Sequence, residues 1–340
     1  EGAALSVQSL SGTNNFMLLN PLWGDGGATP DAGAVTWISG QTGRLANGAA
    51  GGTVSGLNSI VGLRSGDRIG SDGVQRLHSY DATGFIVRSS HWQYDSGDGI
   101  FEDAGAITWF NGSNGLLAGM TTAADFAEFG GVVWFGNSLI GDNIGDRIGG
   151  SSTSITDIGY YYSSPYRVFI RHGDYNDGQG AITWMAAATG QLADGTFHGE
   201  ITNANSLRGN TDGDAIGSGG IQQIGGNDFL KYLVLSPDWS NGPANAGAGA
   251  VTWIDGATGR LSTGATGGRV SAANSLVGST AGDRVGSGGV QMVSTDYNET
   301  RYLISSPEWN RGGTQASAGA VTWINTTTGS LIDDTTGGIL

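Results

Sequence analysis

Apolar residues in this chain come in short blocks cut by glycine, serine and threonine. Within a block they often sit on consecutive positions, as at 35–38 (VTWI) and 85–87 (FIV). Consecutive apolar positions bounded by turn residues predict strands covered on both faces; an open sheet with one wet face alternates apolar and polar. The blocks also recur. Gly-Ala-(Val/Ile)-Thr-Trp occurs five times, ending at Trp37, Trp109, Trp184, Trp253 and Trp323, with steps of 72, 75, 69 and 70 residues.

Other markers keep step with it. Asn-Ser-(Leu/Ile) begins at Asn58, Asn137, Asn205 and Asn274. Nine residues after each asparagine comes an aspartate in Gly-Asp-(Arg/Ala)-(Ile/Val)-Gly: Asp67, Asp146, Asp214 and Asp283. An apolar strand follows at Val74, Ile155, Ile221 and Val290, with an N-terminal counterpart at Val7. Next comes a strand ending in an aromatic corner: FMLLNPLW, FIVRSSHW, VFIRHGDY, YLVLSPDW and YLISSPEW. Each unit therefore reads as four short strands separated by turns in which glycine supplies positive φ.

A period near 70 is too long for one solenoid coil and suits one four-stranded sheet with its loops. Four strands per unit, repeated radially, predict an all-β chain folded as a five-bladed β-propeller, with a β-solenoid as the alternative. The chain is expected to be a single repeat domain over 1–340, with copies near 1–51, 52–130, 131–197, 198–266 and 267–340. The second linker, from Trp109 to Asn137, is seven residues longer than the others, and its TTAADFAEF predicts a short surface helix. A fifth N-S-L…G-D element is missing, leaving a gap of 13 residues. The ring then closes with one thin blade, or the chain is cut from a longer array, or a neighbouring chain lends the strand.

Composition narrows the partners. Of 340 residues 63 are glycine and none is cysteine, and the net charge is −15. Thirty aromatic residues supply a core, so bulk disorder is not expected. An acidic chain lacks the basic face that nucleic acid requires. No apolar run is long enough to span a membrane as a helix. Absence of cysteine rules out disulfides and thiolate sites and is compatible with export.

The unit NSLVGSTAGDRVGSGGVQMV…YLISSPEWN…AGAVTW resembles the tandem repeats of large bacterial exoproteins of the filamentous-haemagglutinin type. It is also distantly similar to the FG-GAP blade of integrin-α-type propellers, with SPDW and SPEW in the "GAP" place. The exoprotein resemblance implies an extracellular, surface-exposed, non-enzymatic bacterial repeat domain of structural, adhesive or filament-forming kind. The loops matching the FG-GAP calcium loop, SYDATG, GNDFLK and STDYNET, lack its carboxylate spacing, so calcium is not carried over from that family.

Candidate chemistry is sparse. The four repeated aspartates read first as turn residues accepting backbone N–H bonds, and only second as a carboxylate ring for a cation. The five strand tryptophans read as packing. The corner aromatics Trp23, Trp92, Tyr175, Trp239 and Trp309 are the candidate ligand set: exposed, they would stack on sugars in a lectin; buried, they would pack between sheets. Asp174, Asn176 and Asp177 (in DYNDG), and the loop DSGDG at 95–99, have a loose calcium-loop look. Histidines 78, 91, 172 and 198 lack metal spacing and are expected at the surface. Sequons stand at Asn111, Asn298 and Asn325. No catalytic constellation emerges, and no cofactor is expected. Expected partners are glycans, other chains of a surface assembly, or another copy joined through an unpaired terminal strand.

Overall fold

A computed structural model describes residues 5–78, 83–158, 166–225, 230–294 and 301–340. The described fold is all-β apart from the helix Ala123–Phe129 and a tight turn at Tyr175–Gly178. The chain divides into two compact units. Unit 1 comprises Glu1–Asp157, Ser164–Val168 and Met185–Ile201; unit 2 comprises Ile158–Ser163, Phe169–Trp184 and Thr202–Leu340.

In unit 1 the first copy is an antiparallel meander of Ser6–Ser9, Phe16–Asn20, Ala34–Ile38 and Ile60–Val61. A fifth strand, Gly131–Val132, joins its edge in parallel from the following copy. The second copy repeats the plan with Val74–Arg76, Gly84–Ser89, Ala106–Asn111 and Leu139–Ile140, and Gly199–Glu200 is its lent strand. In unit 2, Gly220–Ile224, Lys231–Ser236, Ala250–Asp255 and Ser275–Val277 form the fourth copy, with Gly338–Ile339 added in parallel. Unit 2 also pairs Ala181–Thr183 with Ser206–Arg208, and that strand with Gly268–Arg269. The fifth copy has three strands among the described residues: Val290–Ser294, Arg301–Ser306 and Ala320–Ile324.

The expectation of strands covered on both faces holds in the first and fourth copies and fails in the fifth, where Val321 of Ala320–Ile324 is exposed. Ala34, Val35, Thr36 and Trp37 are all buried, and so is every residue of Ala250–Asp255 except the last. Unit 1 gathers its core around Val35, Phe85, Phe110 and Phe126, and unit 2 around Phe169, Leu233, Val234 and Ile304. The predicted surface helix forms at Ala123–Phe129, started by a capping box between Thr122 and Asp125.

The repeated polar residues tie neighbouring strands together within each sheet. The Thr of each GA(V/I)TW strand meets the Ser of Asn-Ser at 2.7 Å: Thr36 with Ser59, Thr108 with Ser138, Thr183 with Ser206, and Thr252 with Ser275. Each serine donates to the Oδ1 of its neighbouring asparagine, so the threonine must donate to the serine. Each asparagine oxygen also accepts the backbone N–H three residues upstream, for example Ser55 to Asn58 at 3.1 Å. These groups are buried, except the half-buried Asn274, and the chain of bonds satisfies them without water.

Candidate functional site

The strand tryptophans join successive copies. In unit 1, Trp37 Nε1 donates to the carbonyl of Gly112 at 3.0 Å and Trp109 Nε1 to that of Ala187 at 2.9 Å. In unit 2, Trp184 donates to Gly256 at 2.8 Å and Trp253 to Thr326 at 3.0 Å. The acceptor is always the third residue after the tryptophan of the next copy. The ring is held close as well: a Cβ added to Gly190 would lie 2.7 Å from the Trp109 ring, and one at Gly329 would lie 2.5 Å from the Trp253 ring. Trp323 makes no such bond among the described residues.

The repeated aspartates are buried backbone acceptors. Asp67 Oδ2 receives the N–H groups of Leu63 at 2.9 Å and Arg64 at 2.8 Å, and its Oδ1 receives Gln93 N–H at 3.1 Å. Asp214 is bound in the same way by Asn210, Thr211 and Ser240, and Asp283 by Ser279, Thr280 and Asn310. Asp146 accepts from Asp142 and Asn143. One oxygen closes the aspartate's own turn. In Asp67, Asp214 and Asp283 the other holds the residue just after the next copy's corner aromatic. Burial pushes the Asp67 carboxyl up to about 6, against the pull of these N–H donors.

The corner aromatics are placed unequally. Trp92, Tyr175 and Trp239 are buried, whereas Trp23 and Trp309 are half-buried. Arg208 lies over the Tyr175 ring at 5.0 Å. Asp174, Asn176 and Asp177 form the tight corner beside Tyr175, with Asn176 and Asp177 at φ 49° and 55°. Gly178, at φ 76°, is the counterpart of Asp31 and Asp103, which hold φ 57° and 51° at the same corner in unit 1; Asp177 is the counterpart of Pro30 and Glu102, and its carbonyl accepts Gly213 N–H. Among the described residues no cluster of three His, Asp or Glu side chains is placed to hold a metal. The loops 79–82, 226–229 and 295–300, which carry much of the calcium-loop comparison, and the sequon Asn298 lie outside the described residues.

Two histidines correct the surface expectation. His172 is 1% exposed and His78 is 5% exposed. His172 occupies a strand end where Ser89, Ser236 and Ser306 stand in other copies, so it faces the sheet interior. Its Nε2 lies 3.1 Å from Thr183 Oγ1. Thr183 donates to Ser206, so His172 is the Nε2–H tautomer and donates to Thr183; its Nδ1 is buried without a partner. Burial pushes its pKa down to about 3.

Where unit 1 departs from its own repeat, a cleft of about 160 Å³ opens, lined by Leu63, Arg64, Trp92, Tyr94, Trp134 and Phe135. Two local features build it. A hairpin of Tyr94–Asp95 with Ile100–Phe101 replaces the plain corner loop, and Gly97 at its tip has φ 86°. The longer linker then brings the chain through its helix to Trp134 and Phe135, where other copies have Ser-Gly, Thr-Asn and Ser-Ala. Trp134 is 48% exposed and Phe135 50% exposed, and their rings meet edge-on at 4.8 Å. Tyr94 stacks toward Trp92 at 6.0 Å. Its hydroxyl donates to Glu200 Oε1 at 2.6 Å, and that carboxylate holds the phenol up to about 12. Arg64 pairs with Asp95 at the rim. The cleft offers aromatic faces beside an ion pair, the surface that a sugar ring or a planar side chain fits. Sequence reasoning missed Trp134 and Phe135; the signal was an aromatic pair at a place otherwise held by small residues.

Five stretches of the chain, residues 11–71, 81–150, 172–218, 230–287 and 297–332, match the model of the family described as Repeat of unknown function (DUF5650). The match bears out the tandem repetition, and it includes neither a filamentous-haemagglutinin-type nor an FG-GAP family. No curated protein matches the chain.

Proposed function

The chain belongs to that repeat family, and we propose that it is a non-enzymatic extracellular module of a bacterial surface, serving as a structural and adhesive element. The observation that carries this reading is the repeated Trp-to-carbonyl joint between successive copies. The most repeated residues are engaged in structural bonds: the strand Trp and the Asp reach the next copy, and Thr with Asn-Ser ties strands within a copy, which is what a scaffold requires. Labelling intact cells of the source organism with antibody is the test. Staining without permeabilisation is expected; staining only after permeabilisation overturns the reading.

The finer architecture belongs to the same proposal. Five copies of one antiparallel meander, with the Trp strand between two neighbours in the first four, suit the blades of a β-propeller, with a β-solenoid as the alternative. Small-angle scattering from the isolated chain separates them. A compact particle is expected, and an elongated profile selects the solenoid.

The aromatic cleft favours a second reading, carbohydrate binding, in which Trp134 offers the ring face. A glycan array run on the wild type and on Trp134→Ala tests it. Binding that the substitution abolishes supports the cleft. No binding, or binding that survives the substitution, removes it.

A further inference from the structure

In copies 1 to 4 the GA(V/I)TW strand has a neighbour on both edges. Val35 pairs with Ile60, Ile107 with Leu139, Ile182 with Leu207 and Val251 with Leu276. Those four strand residues are at most 2% exposed. In the fifth copy the equivalent residue, Val321, is 64% exposed, and among the described residues no strand pairs with 320–322 on that edge. The threonine is stranded too: Thr322 Oγ1 is shut off from solvent and has no hydrogen-bond partner. Its four counterparts each donate to the serine of an Asn-Ser pair.

The adjoining corner loop tells the same story. In the fourth copy the carbonyls of Ala246, Gly247, Ala248 and Gly249 accept N–H groups from Gly282, Arg284, Val285 and Gly278. In the first copy Pro30, Asp31, Ala32 and Gly33 accept from Gly66, Arg68, Ile69 and Gly62. The donors all come from the segment running from Asn-Ser to Gly-Asp-Arg-(Ile/Val)-Gly. In the fifth copy the corresponding carbonyls, 316–319, receive none among the described residues. Yet the loop already holds the receiving shape. Ser317 stays at φ 50°, matching Asp31 at 57°, and no glycine relieves it. A Cβ on Gly249 would strike Val285 N at 2.2 Å, whereas one on Gly319 would meet nothing closer than 3.5 Å, so the space the segment fills elsewhere is open here.

We infer that the open edge of Ala320–Ile324 is a docking site for a strand of the form Asn-Ser-(Leu/Ile)-x-Gly followed by Gly-Asp-Arg-(Ile/Val)-Gly, the kind of segment that covers the same edge in the other copies. Any strand can supply backbone bonds to a free edge. Thr322 adds chemical selectivity, because it needs a hydroxyl acceptor whose own proton is already committed, and an Asn-Ser pair provides one. The inference depends on the joints between copies and not on where the protein resides, so it stands or falls separately from the cell-labelling result.

The test uses the full chain and a synthetic peptide with the sequence of residues 272–286, AANSLVGSTAGDRVG. Titration calorimetry is expected to give one peptide per chain. Hydrogen exchange should slow across 316–322 and stay unchanged in Ala250–Asp255, whose edge is already occupied. A peptide carrying Asn274→Ala and Ser275→Ala should bind at least tenfold more weakly. Thr322→Val in the chain should erase the difference between the two peptides. No binding, equal binding of both peptides to the wild-type chain, or protection elsewhere overturns the inference.

Discussion

The tryptophan joint makes a quantitative prediction in which one chemical change is placed at two positions. Trp109→Phe removes the donor to the Ala187 carbonyl while keeping an aromatic ring in place. The carbonyl is then left unpaired in a site where Trp109 is only 5% exposed. An orphaned buried acceptor costs about 1–3 kcal/mol, and the volume lost from indole to phenyl costs on the order of 1 kcal/mol more. Unit 1 should therefore lose about 2–4 kcal/mol. Trp323→Phe removes the same atoms from a half-buried ring that makes no such bond, so its cost should stay below about 1 kcal/mol. Urea unfolding of both variants followed by far-UV circular dichroism, with hydrogen exchange around Ala187, is the assay. Exchange at 185–192 should rise in the first variant only. Equal losses in the two variants would refute the idea that the indole N–H is a joint between copies; the tryptophans would then be plain core.

Other expectations follow from the same geometry. Asp283→Ala leaves the N–H groups of Ser279, Thr280 and Asn310 unpaired at a fully buried position and should cost about 3–5 kcal/mol in thermal or urea unfolding, far more than an exposed turn aspartate. His172 is held neutral by burial, with a folded pKa of about 3 against an ordinary 6.5, so its contribution is complete above pH 6.5 and is lost as the pH falls toward 3. Between pH 7 and 5 the wild type should lose about 2 kcal/mol that His172→Ser does not lose; parallel stability profiles for the two proteins would remove His172 as the cause. Thr122→Ala should lower stability by about 1 kcal/mol and loosen exchange in Ala123–Phe129, through loss of its capping bonds with Asp125.

Much of the fold was legible because the sequence repeats itself. Five copies of one pattern average out local ambiguity, and a residue that returns at the same offset must meet the same neighbour each time. That is why the strands and the turn role of Asp67, Asp146, Asp214 and Asp283 could be read directly, whereas the helix Ala123–Phe129 was legible from the one linker that breaks the repeat. The roles that escaped are relations between elements distant in the chain. No local signal says that Thr36 will bond Ser59, that Trp37 will reach Gly112, or that Gly131–Val132 will pair in parallel with Ile60–Val61. Those joints span 23 to about 75 residues, and only the constancy of the offsets hints that they exist. The two buried histidines escaped for a related reason. His172 was judged by residue type, although its position in the copy, where serine stands elsewhere, already marked it as interior.

The aromatic cleft was missed because repetition, the strongest signal, directs attention away from exceptions. Trp134 and Phe135 look like part of an irregular linker until they are set against Ser55-Gly56, Thr202-Asn203 and Ser271-Ala272 in the other copies. Each of those serines or threonines offers its backbone N–H to the following asparagine, and Trp134 does the same, at 3.2 Å from Asn137 Oδ1. The backbone role is thus kept while the side chain is released for another purpose. In a scaffold whose repeated side chains are consumed by joints, recognition can be added only at positions where the repeat fixes the main chain alone. Trp134 and Phe135, and the hairpin at Tyr94–Asp95 and Ile100–Phe101, occupy such positions, and they converge on one face of unit 1. The same logic separates the corner aromatics. Trp92, Tyr175 and Trp239 are enclosed by the joints around them, so any contact with a ligand falls to residues that the repeat leaves unconstrained.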